Sequence, residues 1–415
     1  MKHIFTSALA LIMLAMVSLP TQAQVVYNNE ETGQKLEFLH MYQFWTSYQT
    51  MDVDRLNGGD DHLDMYIRRG RFGAKGNLSK NVEFRVWYAF DLLGKDAGTN
   101  WLNGMFGTNT DNKVFQVWDA FVKYKLDPKF NVTVGFFRPQ TSRESIRSGF
   151  TTLSFEKTFP NFIHRTYTVG KGPGRVPGVN VGGKFKGAAG GVQYDLGVFN
   201  TFAAVENFSP MFAGRLAFWL GDEEKGGLKD NHFGKRNGVT LAFYGTTQAS
   251  VDQTALTVLA IGGSENLFDP FNSISVLSYG SDLLANYGKF NLKAEYSVIT
   301  YSNLMGDSES ATGNYTMATF DVGAAYNIAK IGPGLLSASA TYSGIMADET
   351  LALGAVSFVD KKYSNTYGKV NFLDLGFNYY LKNDKYKFGL HYIKVDEETA
   401  DYLNDYIAVG LQYQW

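Results

Sequence analysis

Apolar and polar residues alternate with a period of two along most of this chain. In NVEFRVWYAFDL (81–92), Val82, Phe84, Val86, Tyr88, Phe90 and Leu92 fall on one face of an extended strand. Glu83, Arg85, Trp87, Ala89 and Asp91 fall on the other. YKFGLHYIK (386–394) and DYIAVGLQYQW (405–415) repeat the pattern. Helical periodicity is nearly absent. The alternation predicts strands at 34–50, 63–78, 81–93, 113–126, 129–138, 178–187, 190–200, 211–221, 237–249, 274–288, 290–302, 314–329, 334–347, 366–381, 384–396 and 404–415. That is about sixteen strands.

Their connections alternate as well. NLSKN (77–81), LDPK (126–129), GAAG (187–190), YGKF (287–290), KIGPG (330–334) and KNDK (382–385) are short turns. Long polar loops at 94–112, 139–177, 250–273 and 347–365 lie between them. Short turns at one end and long loops at the other predict an all-β fold. It is a transmembrane antiparallel β-barrel with short periplasmic turns and long extracellular loops. DEEKGGLKDNHFGKR (222–236) is too long for a short turn and marks an insertion or a local miscount. TALTVLAIGG (254–263) is a further possible strand.

A soluble sandwich also alternates, with its apolar face inward. Here the apolar face is rich in aromatics, as membrane interfaces require, and no short fixed repeat suggests a solenoid. Lipid tolerates no unpaired sheet edge, which is the physical reason for closure. Aromatics make up 15% of the chain, and there is no cysteine to staple it with disulfides. The N-terminus supports export. The apolar run Ile4–Leu19, shorter than the roughly 20 residues of a spanning helix, is followed by PTQAQ with Ala23. This is a signal-peptide pattern, read as cleaved after Ala23, leaving the barrel at 24–415. The expected location is the outer membrane of a Gram-negative bacterium. A net charge of −2 argues against nucleic-acid binding.

If the apolar face meets lipid, the other meets the lumen. In DMYIRRGRFGAKGNL (64–78), Phe72 marks the lipid side, so Arg69, Arg71 and Lys75 point inward and Arg68 points outward. The same phase turns Arg85, Lys123, Lys125, Lys184, Lys186 and Arg215 inward, with Glu83, Asp119, Lys293 and Glu295. Glu83 with Arg85 and Asp119 with Lys123 read as wall pairs. Basic groups exceed acidic ones on the first six strands, and a positive lumen with low-dielectric walls concentrates anions.

The longest loop is more basic still. Residues 138–178 carry Arg138, Arg143, Arg147, Lys157, Arg165, Lys171 and Arg175 against Glu144 and Glu156. TSRESIRS (141–148) reads as a brief helical turn capped by Ser142, with Arg143 and Arg147 on one face. Long barrel loops are usually functional, so 139–177 is expected to fold inward and constrict the pore. The alternative is an external loop that grips anionic lipopolysaccharide.

YIRRGRFGAKG (66–76), VGFFRPQTSRE (134–144), FPNFIHRTYTVGKGPGRVPGVNVGGKF (159–185), YGSDLLANYGKFNLKAEY (279–296) and the LQYQW ending resemble the phosphate-selective porin O/P family. The resemblance spans nearly the whole exported chain and rests on the ordered set. It implies a sixteen-stranded barrel, a homotrimer, an inward third loop and a basic lumen. By position, Arg69, Arg71 and Lys75 match the family's basic strand motif. Arg165 matches the arginine of its f-I-x-R stretch, where His164 replaces a frequent Glu. Arg175 matches the arginine before its G-V strand entry. GFFRPQ departs from the usual lysine-rich G-K-x-K-x-P form. The resemblance thus implies passive, anion-preferring diffusion of small hydrophilic solutes, phosphate-like anions among them.

Other classes fit less well. A barrel lipase or protease needs a nucleophile beside a base. The histidines His40, His62, His164, His232 and His391 are scattered, with no G-x-S-x-G motif. DVDRLNGGDDHLD (52–64) lacks EF-hand spacing, and GKGPGR (170–175) is not a P-loop. No cofactor or metal is expected. The rival readings are a non-selective barrel and a structural or adhesion barrel, and the structural or adhesion barrel predicts a plugged lumen.

Overall fold

The structure, a computed structural model, describes residues 25–49, 62–94, 115–169, 174–201, 209–252, 273–305, 312–347, 369–397 and 405–414. The strands are β1 Val25–Asn29, β2 Gln34–Gln49, β3 His62–Ser79, β4 Val82–Leu93, β5 Gln116–Asp127 and β6 Phe130–Phe137. They continue as β7 Val176–Lys186, β8 Gly190–Phe199, β9 Met211–Gly221, β10 Gly238–Asp252, β11 Ser273–Tyr287 and β12 Phe290–Met305. The last are β13 Thr312–Ile331, β14 Gly334–Ala347, β15 Lys369–Leu381, β16 Tyr386–Glu397 and β17 Tyr406–Gln414. Two helices, α1 Arg143–Ile146 and α2 Phe159–Val169, lie between β6 and β7.

Each strand from β2 to β17 pairs antiparallel with the next, and β17 pairs back onto β2 through Ala408↔Ser47 and Gly410↔Trp45. The sixteen-stranded sheet therefore closes, and its ladder needs no water. The predicted strands match, with ends shifted by a few residues. β1 was not expected. It pairs with β2 through Asn29↔Gln34 and Asn28↔Lys35, beside the part of β2 that β17 leaves open. The turn 382–385 places Lys382 and Asn383 at positive φ, the paired left-handed geometry of a tight hairpin. The expected signal segment 1–23, residues 52–61 and TALTVLAIGG lie outside the described residues.

Outward side chains include Phe38, Phe44, Phe72, Phe243 and Tyr279, all exposed. One facing expectation fails. Gln43 pairs with Arg69 while Phe44 pairs with Ile67, so Arg68 is an extra residue in β3. A bulge resets the pleat. Tyr66 and Arg68 consequently turn inward and are buried, while Leu63 and Met65 face out. The expected wall pairs also change. Glu83 meets Lys125 on β5, and Asp119 lies 2.9 Å from Arg175 and 4.0 Å from Arg85.

Candidate site within the barrel lumen

Residues 138–169 leave β6 and run into the barrel. Side chains of the wall bind the carbonyls of this loop in sequence. Gln43 Nε2 donates to Gly149 O (3.1 Å), Gln412 Nε2 to Phe150 O (2.8 Å) and Lys387 Nζ to Thr152 O (3.0 Å). Asn378 Nδ2 donates to Leu153 O (2.9 Å). Phe155 N donates back to Asp374 Oδ2 (2.9 Å), and its ring packs on Trp45. These partners come from β2 and β15–β17, so the loop crosses the inner wall. This satisfies backbone groups that a buried loop would otherwise leave unpaired.

Helix α1 docks on the opposite wall. Ser142 caps it, accepting from Ser145 N at 3.0 Å, as expected. Its first amides point at wall carboxylates: Arg143 N donates to Asp282 Oδ2 (3.1 Å) and Glu144 N to Glu295 Oε2 (2.8 Å). Arg143 opens this helix and Arg147 closes it, and both are buried. Arg143 Nη1 donates to Glu224 (3.0 Å) and Arg147 Nη1 lies 3.1 Å from Asp230, with Arg147 also on Glu144. Lys293 bridges Asp321 (2.8 Å) and Glu144 (3.4 Å), and Arg215 binds Asp282 (2.9 Å). Burial works against charge on Glu144, yet Arg147, Lys293 and Lys157 hold its carboxyl well below the usual range. Around α1, then, Arg143, Arg147, Arg215 and Lys293 face Glu144, Glu224, Asp230, Asp282, Glu295 and Asp321. This is an acid-rich latch, not an open anion site.

The arginine-rich zone lies elsewhere. Arg71 and Arg175 both stack on the Trp118 ring, 3.9 and 3.8 Å from its centroid. Arg71 Nη2 also binds Asp91 (2.9 Å), and Arg175 binds Asp119 (2.9 Å). Arg68 Nε binds Glu156 (2.7 Å), which Arg69 also grips. Arg138 Nη1 donates to Arg147 O at 3.0 Å. Burial and then Arg175 and Arg165 push Arg138 well below its ordinary value. Burial and then Arg175 and Arg69 push Arg165 down to about 9. Burial and Arg71 bring Arg175 to about 10 against the pull of Asp119. These guanidiniums crowd one another in a low-dielectric place. The sequence reading missed Trp118. The register shift between Trp87 and Tyr88 makes it the extra residue of β5, a position that strict alternation hides.

Toward the periplasmic turns the inner wall of β3–β8 opens. Lys75, Arg85, Lys125, Lys184 and Lys186 have side chains 38–61% exposed. Lys123 faces the same way, partly buried. Their carboxylate partners are Glu37 for Lys75, Glu83 for Lys125, and Glu223 for both Lys184 and Lys186. Inner residues of β10–β17, such as Ser278, Asn291, Asn327 and Asn378, are instead buried. The wetter part of the lumen therefore follows the β3–β8 wall.

The 222–236 segment joins β9 to β10 at the periplasmic end and also folds inward. Asn231 Nδ2 binds Asn327 (2.8 Å), Arg236 Nη1 binds Asn286 (2.6 Å) and Lys229 lies 2.8 Å from Asp384. Asp230 N donates to Thr151 O (3.3 Å), and Thr151 Oγ1 donates to Leu228 O (3.1 Å). The extra length noticed in the sequence is thus an inward turn that meets the loop, and the strand count stands.

A family model described as phosphate-selective porin O and P matches residues 41–415. Among curated proteins, no sequence matches this chain significantly. The anion-selective porin from Comamonas acidovorans has the same fold at TM-score 0.54 and 11% identity, over 92% of this chain and 100% of that one. Pseudomonas putida OprB gives 0.55 at 12% identity, over 92% and 94%. The trimer form of Vibrio cholerae OmpT gives 0.51 at 10% identity, over 92% and 100%.

Proposed function

The chain belongs to the phosphate-selective porin O and P family and is an outer-membrane porin, and we propose that it passes small hydrophilic anions in preference to cations. The observation that carries this reading is the guanidinium cluster around Trp118, where Arg71, Arg138, Arg165 and Arg175 repel one another's charge. A buried positive zone of this kind lowers the energy of a passing anion and raises that of a cation. The lysines of the open β3–β8 wall extend the positive field to the periplasmic exit. Lys75, Arg85, Lys123, Lys125, Lys184 and Lys186 line that exit, and Arg69 and Arg165 belong to the cluster. Arg143, Arg147 and Arg215 hold the loop against the wall and do not meet solute.

In this reading the loop 139–177 narrows the lumen and delivers Arg165 and Arg175 to the cluster. Residues 1–23 act as the export signal. The working assembly is a homotrimer, a reading supported by the trimer form of the OmpT that shares the fold. The test is planar-bilayer recording in a KCl gradient. A reversal potential of chloride sign supports the proposal, and a potassium sign overturns it. A structural or adhesion barrel would give no conductance.

A further inference from the structure

We propose that the inward periplasmic turn 222–236 sets the charge of the pore, with Glu223, Glu224 and Asp230 cancelling basic groups on β7 and on the inward loop. The inference rests on the anion-preferring reading above, but names the element that limits that preference.

Three observations carry it. Left-handed residues fold the turn back into the barrel: Gly221, Gly226, Gly227, Phe233 and Gly234 all have positive φ. Wall side chains then hold it there, through Asn286 Nδ2 to Asp230 O (3.1 Å) and Asn291 Oδ1 to His232 N (3.3 Å). Finally, each of three carboxylates reaches a different basic group. Glu223 takes Lys184 (2.9 Å) and Lys186 on the open wall. Glu224 takes Arg143 (3.0 Å), and Asp230 takes Arg147 (3.1 Å). A turn that only closed β9 to β10 needs none of these contacts, since two to five residues suffice for a hairpin. The turn therefore supplies negative charge to basic groups rooted in other elements.

Glu224 and Asp230 are buried and also position the loop, so changing them perturbs both charge and docking. Glu223 separates the two effects. Its side chain is 18% exposed, and its partners are the more exposed Lys184 and Lys186. Those two lysines are the charged groups that act on it. Hydrogen bonds from Lys186 and Lys184 hold its carboxyl below the ordinary range, against the upward push of burial.

The experiment is reversal-potential measurement on the porin in a KCl gradient, wild type against Glu223→Gln, at pH 7. At pH 7 the variant should raise the chloride-to-potassium permeability ratio about twofold, as expected when a lumen carboxylate beside two ammonium groups is lost. Asp230→Asn should shift the ratio in the same direction and add open-channel noise, because the loop loses its anchor. An unchanged ratio in Glu223→Gln, in a barrel that still opens, overturns the inference. If wild type proves cation-preferring while Glu223→Gln still shifts toward anions, the functional reading fails and this inference stands.

Discussion

Arg147 and Asp230 meet 3.1 Å apart with both side chains wholly removed from solvent. One comes from the loop after β6, at the extracellular end. The other comes from the turn after β9, at the periplasmic end. Two inward segments from opposite ends of the barrel are thus joined by a buried ion pair, with Glu144 as a second partner of Arg147. The pair accounts for the burial of the most arginine-dense stretch of the loop.

Breaking the pair on one side is expected to be costly. Arg147→Met leaves Asp230 buried without its cation and Glu144 with Lys293 alone, and should lower stability by about 3–5 kcal/mol. Adding Asp230→Asn should recover part of the loss. Denaturant unfolding of the folded barrel measures both. Equal stability of Arg147→Met and wild type would contradict the latch.

The open lysines should behave in the opposite way. Lys75→Gln with Lys125→Gln should change stability by only about 0.5 kcal/mol, as solvated substitutions do. The same change should reduce the chloride-to-potassium permeability ratio. Reversal potentials and unfolding midpoints taken together check this split.

Trp118 is a specific test of the arginine cluster. Trp118→Leu removes two guanidinium stacks, each worth about 0.5–2 kcal/mol where desolvated. Arg71 and Arg175 keep Asp91 and Asp119 but lose their common platform. Inhibition of chloride current by added phosphate should weaken. Unaltered inhibition would place anion contact away from the cluster.

Acid should loosen the loop through His164. Burial brings its imidazole down to about 4, and its Nε2 shares a 2.8 Å hydrogen bond with Ser278 Oγ. The folded value lies below the ordinary 6.5, so this stability is complete above pH 6.5 and is lost as pH falls toward 4. The full loss is about 3 kcal/mol. Thermal unfolding of wild type should therefore drop across that window more than that of His164→Gln.

The barrel was largely legible because period-two patterning is written residue by residue. The strand ends at 211–221 and 334–347 agree with β9 and β14. Lumen facing was legible wherever the pleat runs unbroken, as for Lys184, Arg215 and Lys293. It failed at Arg68 and Trp118 because one extra residue reverses the facing on its other side, here toward the start of each strand, and counting by twos cannot see it. The adjacent pair Arg68 and Arg69 was the available signal, since both face inward only if the pleat slips between them. The roles of Arg143 and Arg147 were not legible. Glu224, Asp230 and Asp282, which neutralise them, lie at least 77 residues along the chain. The length of 222–236 announced an exception without saying where it goes.

In the proposed reading, the crowded guanidiniums around Trp118 and the lysines of the β3–β8 wall make the pore anion-preferring. The most direct test is the zero-current potential of the wild-type protein in a bilayer across a tenfold KCl gradient. The expected potential has the sign set by chloride, diminished in Lys75→Gln/Lys125→Gln and enlarged in Glu223→Gln. A potential of potassium sign, or no conductance from correctly folded barrels, would contradict it.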